Sequence, residues 1–316
     1  VAVSEPGAVD LKSSSHPLLG IALKVAATFA FTLMAAIARH LGETIPVGQM
    51  VFFRSAFAFV PILVFMALAG QGIAALATTR PLLHARRAAT GVLAMFTYFA
   101  ALTYLPLADV TAISFASPLI VVALAAVFLG ETVRLYRWSA VAIGFVGVLI
   151  MVSPHLGEGF DRGAAGIGIA LAVVNAFLVA FTMIFIRMMS GSESALAITF
   201  YFQLTCTIVS LMTLPFAWAA PTIEQLALLV TLGILGGIGQ LFMTNGYRFA
   251  QASTLANFDY AAMIWAILFG WLFFGELPVV AVYVGAAIVI ASGLFIAWRE
   301  RQLGLKRAAE AAAKPI

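Results

Sequence analysis

The sequence predicts an all-α integral membrane protein: ten transmembrane helices in two inverted five-helix repeats. Three observations predict it. Hydrophobic residues make up 63% of the 316 positions and charged residues only 9%, where a soluble chain carries about 25% charged residues. Such a surface is solvated by lipid, not water. The apolar runs are also long and continuous, near the roughly 20 residues that cross a bilayer as a helix with every backbone group satisfied internally. They lack the alternation of an outer-membrane barrel strand. Finally, Phe128-Leu129-Gly130-Glu131 returns as Phe273-Phe274-Gly275-Glu276, 145 positions later.

Turn residues separate the runs. A tail, 1–17, precedes the first run, 18–40, which stops at Gly42 to Pro46. The second, 47–69, gives way to Gly70 through Pro81, and the third, 82–104, closes on Leu105-Pro106. The fourth, 107–129, ends at Gly130-Glu131, and the fifth, 135–153, at Ser153-Pro154. A second set follows: 164–188 up to Gly191, 195–217 up to Pro221, 225–248, 253–274 up to Gly275 through Pro278, and 279–298. A basic, Ala-rich tail, 299–316, is suited to lie on anionic lipid as a short helix or to stay disordered. The short connections leave no room for a soluble domain. The run after Lys12 is too long for a signal-peptide core, and no small-residue cleavage site follows it.

The two sets, 18–153 and 164–298, align with each other. Gly20-Ile21-Ala22-Leu23 matches Gly168-Ile169-Ala170-Leu171, and Arg39 matches Arg187. Further on, Gly91 matches Gly236 and Ala142-Ile143 matches Ala287-Ile288, the offset having drifted by three residues, as one loop indel explains. Five spans is an odd number, so the second unit enters the membrane with opposite polarity.

Lys12, Lys24, Arg80, Arg86, Arg87, Arg134, Arg137, Arg187, Arg248 and the tail cations fall on one side, with only Arg39 and Arg162 on the other. Lys and Arg favour the cytoplasmic face, so both termini are expected inside. The formal charge of +4 reflects this bias and is no nucleic-acid signal. Cys206, the single cysteine, provides neither a disulfide framework nor a thiolate metal cluster.

Ten spans, a five-plus-five repeat, Gly-Glu closing spans four and nine, and Phe53-Arg54-Ser55 in span two resemble the drug/metabolite transporter superfamily, EamA type. The resemblance covers nearly the whole chain. It implies a carrier exporting amino acids (aromatic or other hydrophobic and neutral ones), related metabolites or drugs across a bacterial-type inner membrane. It implies a cavity lined by most spans, with spans five and ten peripheral. Small four-span relatives couple to protons through a first-span Glu; spans one and six here contain no carboxylate, so that coupling does not carry over. No cofactor or metal is implied, and a monomer suffices because both units share one chain.

Ionisable residues deep in a span face a partner or a wet path, because lipid contact costs about 2.5–3.5 kcal/mol. Lys24 and Asp259 each lie about seven residues, near 10 Å, into their spans from the same side. They suit a gate or a headgroup pair, Lys24 for a carboxylate and Asp259 for an ammonium. Alternatively Lys24 snorkels and Asp259 bonds a neighbouring helix. Arg54 either binds a substrate carboxylate or, the preferred reading, ties the outer loops through Asp109 or Glu43. Glu131 and Glu276 read as turn residues favouring the next helix dipole.

Thr111, Ser114 and Pro118 share one face of span four, where Pro118 frees a carbonyl and suits a kinked gate; the same face equally suits small-residue helix packing. The aligned positions in span nine, Ala256, Asp259 and Met263, lack the proline. Thr28, Thr32, Thr97, Tyr98, Asn175, Gln203, Gln240, Thr244 and Asn245 are polar at mid-span, and about half are expected to line the path and the rest to join helices. Trp265 is the one tryptophan near a midplane and suits either an aromatic wall or contact with lipid or a neighbouring helix; Tyr260 joins it as a candidate. The expected substrate-binding set is thus Lys24, Thr28, Thr97, Tyr98, Asn175, Gln203, Gln240, Asn245, Asp259, Tyr260 and Trp265, with Ser114 and Pro118 as gating residues.

A membrane-embedded transferase needs paired aspartates or a His beside a carboxylate. His16, His40, His84 and His155 lie at or near span ends, and no aspartate pair occurs. A channel needs a filter or a pore ring, and none is visible. Sugar-phosphate and nucleotide-sugar carriers need several deep cations, and the sequence places only Lys24 and Arg54 at depth, on opposite sides of the midplane. That favours a zwitterion or an apolar solute; an organic-cation drug remains the other alternative.

Overall fold

The computed structural model describes residues 17–70, 72–128, 134–156, 163–189, 192–250 and 255–312. All regular structure among them is helical. In chain order the helices are α1 Pro17–Leu41, α2 Val47–Leu68, α3 Pro81–Tyr104, α4 Leu107–Ser114, α5 Ala116–Phe128, α6 Leu135–Leu156, α7 Ala164–Met189, α8 Ala195–Leu211, α9 Leu214–Ala217, α10 Ile223–Phe249, α11 Ala261–Phe274 and α12 Val280–Ala312. Two 3-10 turns, Ile73–Leu76 and Ala256–Tyr260, precede α3 and α11.

Seven segments among the described residues are long and apolar enough to cross a membrane: Leu18–Leu41, Val47–Leu68, Leu107–Phe128, Leu135–Pro154, Ala164–Met189, Ile223–Gly246 and Val280–Arg299. Ala195–Leu211 and Phe258–Phe274 are shorter apolar helices. α3 has the length of a crossing, but His84, Arg86 and Arg87 dilute its first half. The chain is a multi-pass membrane protein, as the many large apolar side chains left on its surface require.

The seventh expected run, 195–217, is not one helix. It breaks between Leu211 and Leu214, because Pro215 has no N–H to offer the Leu211 carbonyl one turn back. The tail beyond Arg299 continues α12 as helix to Ala312.

Helix α1 lies against α10 and α11, α3 against α7, α2 against α10 and α8, and α6 against α12. The α6–α12 contact is backbone-close: a Cβ on Gly147 would lie 2.8 Å from the Gly285 carbonyl oxygen, and one on Gly285 would meet the Gly147 carbonyl. Small residues permit this approach where lipid offers no hydrophobic drive between helices. The core is built largely from alanines of α1, α3, α4 and α7 with Phe99, Leu102, Leu107, Leu119 and Leu229.

Spans four and nine are interrupted as well. α4 ends at Ser114, four residues before Pro118, so the Ser114 carbonyl is the one that the proline cannot satisfy. In the later unit the 3-10 turn Ala256–Tyr260 gives way to α11 at Ala261, at the position aligned with the start of α5. The copy that lacks the proline therefore changes its winding at the same place. Phe115 and Tyr260, the aligned residues at the two breaks, meet edge to face with centroids 5.2 Å apart. α11 closes on Gly275, whose φ of +66° suits glycine; its N–H bonds the Trp271 carbonyl and the Glu276 N–H that of Gly270.

Candidate functional site

Helix α1 carries the first polar group. Lys24, about 10 Å along the helix, is 2% exposed and its Nζ lies 2.6 Å from Asp259 Oδ1 in the 3-10 turn before α11. Burial leaves this ammonium little water, and a carboxylate on an interrupted helix supplies its counter-charge. Thr28, one turn on, is buried and returns its hydroxyl to the Val25 carbonyl, as Thr32 does to Thr28. Phe29 meets Trp265 edge to face at 5.3 Å. The Trp265 Nε1 is buried without a hydrogen-bond acceptor among the described residues. Tyr260 reaches α12, its hydroxyl seated where a side chain on Gly293 would be.

The other end of α1 is held to the same span. Arg39 Nη2 donates to Glu276 Oε1 at 2.6 Å, and its guanidinium carbon sits 4.6 Å from the Phe274 ring centre. Glu276 is thus an ion-pair partner of α1 rather than a residue serving only the dipole of the next helix. Gly130 and Glu131, its expected counterparts, lie outside the described residues.

A second cluster sits where α2, α3 and α8 meet. Arg54 Nη1 donates to Gln203 Oε1 at 2.5 Å. This is the hydrogen bond described for Arg54, in place of the expected tie to Asp109 or Glu43; α8 passes beside α2, and Gln203 is 1% exposed. Arg87 is also buried, with its guanidinium carbon 3.8 Å from the centre of the Phe202 ring. Arg54 is 5.9 Å from the same ring centre. Arg87 therefore overturns the premise that Lys24 and Arg54 are the only deep cations. Positive-inside counting placed it at a span end beside Arg86. A turn of about 100° separates adjacent helical residues, and only Arg86 faces outward. The legible signal was the face His84, Arg87, Ala88, Gly91, Ala94, buried at helical spacing.

The remaining expected residues divide. Asn175 is interhelical glue, its Nδ2 donating to the Ala94 carbonyl at 2.7 Å. Thr97 and Ser114 bond carbonyls of their own helices, and Asn245 donates to Leu241. Tyr98 packs on Phe99, Gln240 is half-buried, and Pro118 is on the exposed side of its helix.

Sequence reasoning missed one polar knot. In the α7–α8 turn Glu193 Oε1 accepts from the Thr79 N–H and hydroxyl, both at 3.0 Å, and Oε2 lies 3.1 Å from His84 Nε2. Burial pushes this carboxyl up, but the bonds from His84, Thr79 and Thr78 win and hold it at about 2. Among the described residues no group of His, Cys, Asp and Glu is placed to hold a metal ion.

The EamA-like transporter family model matches residues 18–153 and 166–298. The chain belongs to that family. A riboflavin transporter of Rhizobium johnstonii is 31% identical, over 89% of this chain and 92% of its own. The pseudopaline exporter CntI of Pseudomonas aeruginosa is 28% identical over 86% of this chain and 94% of its own. An S-adenosylmethionine uptake transporter of Rickettsia conorii is 29% identical over 84% and 88%. A solved crystal structure shares the fold, with a TM-score of 0.65 over 90% of this chain and 98% of its own at 17% identity. This EamA-like chain is accordingly a transporter of small molecules in a membrane.

Proposed function

We propose that this EamA-like protein exports a neutral amino acid, aromatic or otherwise hydrophobic, or a closely related metabolite, by alternating access across a bacterial inner membrane. It would do so as ten spans in two inverted units, 18–153 and 164–298, with both termini cytoplasmic, and without catalysis. The Lys24–Asp259 pair carries the reading. A zwitterion presents a carboxylate and an ammonium a few ångströms apart, and these can replace each ion's partner in turn without leaving either charge bare. Thr28 lies on the same face of α1 as Lys24, and Phe29, Tyr260 and Trp265 add aromatic surface for an apolar side chain. The paired breaks at Ser114 and Tyr260, joined through Phe115, support two moving elements that meet at the centre, with Ser114 and Pro118 in the first. Export, rather than uptake, leans on the similarity to the pseudopaline exporter.

The test is counterflow of labelled phenylalanine, methionine and threonine, each alone, into proteoliposomes holding the purified protein. Saturable exchange of phenylalanine or methionine, lost in Asp259→Asn, is expected. Folded protein that exchanges none of the three above empty liposomes would end the amino-acid reading.

A further inference from the structure

We infer that Arg54 and Arg87 form an acid-group site, distinct from the Lys24–Asp259 pair, that takes a carboxylate or phosphate of an organic anion between two guanidinium groups against the Phe202 ring. The side chains are 4% and 8% exposed, so both charges are removed from solvent. Every ion pair described in the chain involves other residues: Lys24 with Asp259, Arg39 with Glu276, His84 with Glu193. Among the described residues neither arginine has a carboxylate. Arg54 spends Nη1 on the neutral Gln203, while its Nε has no acceptor among the described residues. Arg87 has none among them on Nε or Nη1; its described contact is the face of Phe202.

A buried cation without an anion is costly, and two cations sharing one aromatic ring cost more. An aromatic face returns part of that cost but leaves the N–H groups unmet. A visiting anion meets them and neutralises the excess charge. Five N–H donors per guanidinium in a fixed fork suit carboxylate and phosphate oxygens.

The small residues around the pair agree. Gly91 and Gly236 are aligned positions of the two units, and each stands beside one guanidinium. A Cβ on Gly91 would lie 2.7 Å from Arg87 Nη1, and one on Gly236 would lie 3.2 Å from Arg54 Nε. Both units thus keep their smallest residue where an arginine head needs room. The inference rests on the carrier reading, because a carrier's path brings a solute to groups this deep. It extends the substrate class to organic acids with a group beyond the one Lys24 can hold.

The test is ligand-dependent thermal stability of the full-length protein in detergent, at fixed ionic strength. The probes are succinate, inorganic phosphate and the uncharged succinamide. Wild type is expected to gain Tm with succinate or phosphate and not with succinamide, and the stronger of the two identifies the acid group. Arg87→Gln should abolish the gain while raising the ligand-free Tm, because it deletes an uncompensated charge. Arg87→Lys should keep a reduced gain. A gain unchanged in both Arg87→Gln and Arg54→Gln would overturn the site. So would a wild type that answers neither anion, or a ligand-free Tm that falls in Arg87→Gln with the gain intact. Binding here is read without transport, so failed amino-acid counterflow beside an intact succinate shift would sink only the amino-acid reading.

Discussion

Cutting the Lys24–Asp259 pair from either side should have unequal consequences, and the inequality follows from burial. Removing one partner of a fully buried pair costs about 3–5 kcal/mol, while an exposed pair contributes about 0–1 kcal/mol. Lys24 is 2% exposed but Asp259 is 49% exposed. Asp259→Asn takes the carboxylate counter-charge from a buried ammonium, and with the carboxylate side half screened the expected loss is about 2 kcal/mol. Lys24→Met instead leaves a half-exposed carboxylate and fills the same volume with an apolar chain, so its loss should stay under about 1 kcal/mol. The double variant Lys24→Met with Asp259→Asn should recover most of what Asp259→Asn alone loses. The assay is a double-mutant cycle on unfolding free energies from steric trapping or denaturant titration in micelles. Equal single costs, or a double variant as unstable as their sum, would refute the reasoning, because either means that the ions are not coupled or that Lys24 has another means of compensation.

Two further outcomes are expected. Glu193 is held at about 2, below its ordinary 4.5, so its bonds contribute stability that is fully present above pH 4.5 and lost as pH falls through about 2. The Tm advantage of wild type over Glu193→Gln should therefore shrink as pH falls from 4.5 towards 2; an advantage that grew over that interval would contradict it. Gly285→Ala should destabilise by about 1–3 kcal/mol by pushing α12 off the Gly147 carbonyl, read as a lower Tm in detergent. An unchanged Tm would show that α6 and α12 do not depend on this contact.

Lys24 and Asp259 were legible because depth along a span can be counted from its ends, and two opposite charges at one depth have few other partners. The depth of Trp265 could be counted in the same way. Gln203 as the partner of Arg54 was not, since the bond joins positions 149 apart and nothing in either helix states which neighbour lies beside it. Arg87 was hidden by a rule that counts cations by loop and ignores which side of the helix each one occupies. The Glu193 knot was hidden because it assembles from two turns and the start of a helix, elements that hydropathy treats as gaps. The break before α11 gave no proline to read; packing of Tyr260 against Phe115 and Gly293 accompanies it instead.

Burial of Arg87 also bears on how the chain is made. Insertion machinery judges each segment as it emerges, and an arginine in the first half of α3 counts against it, by up to the roughly 2.5–3.5 kcal/mol that one at a helix centre costs. α3 is the long helix here that falls short of an apolar crossing, yet its partner surface is α7, where Asn175 bonds the Ala94 carbonyl and Thr182 donates to Thr90 at 2.9 Å. α7 starts 60 residues after α3 ends, a delay of about 3–12 s at ribosomal speeds of about 5–20 residues per second. For that interval α3 must be sheltered by the insertion site or by α2, and the biogenesis of the first unit is completed only when the second begins.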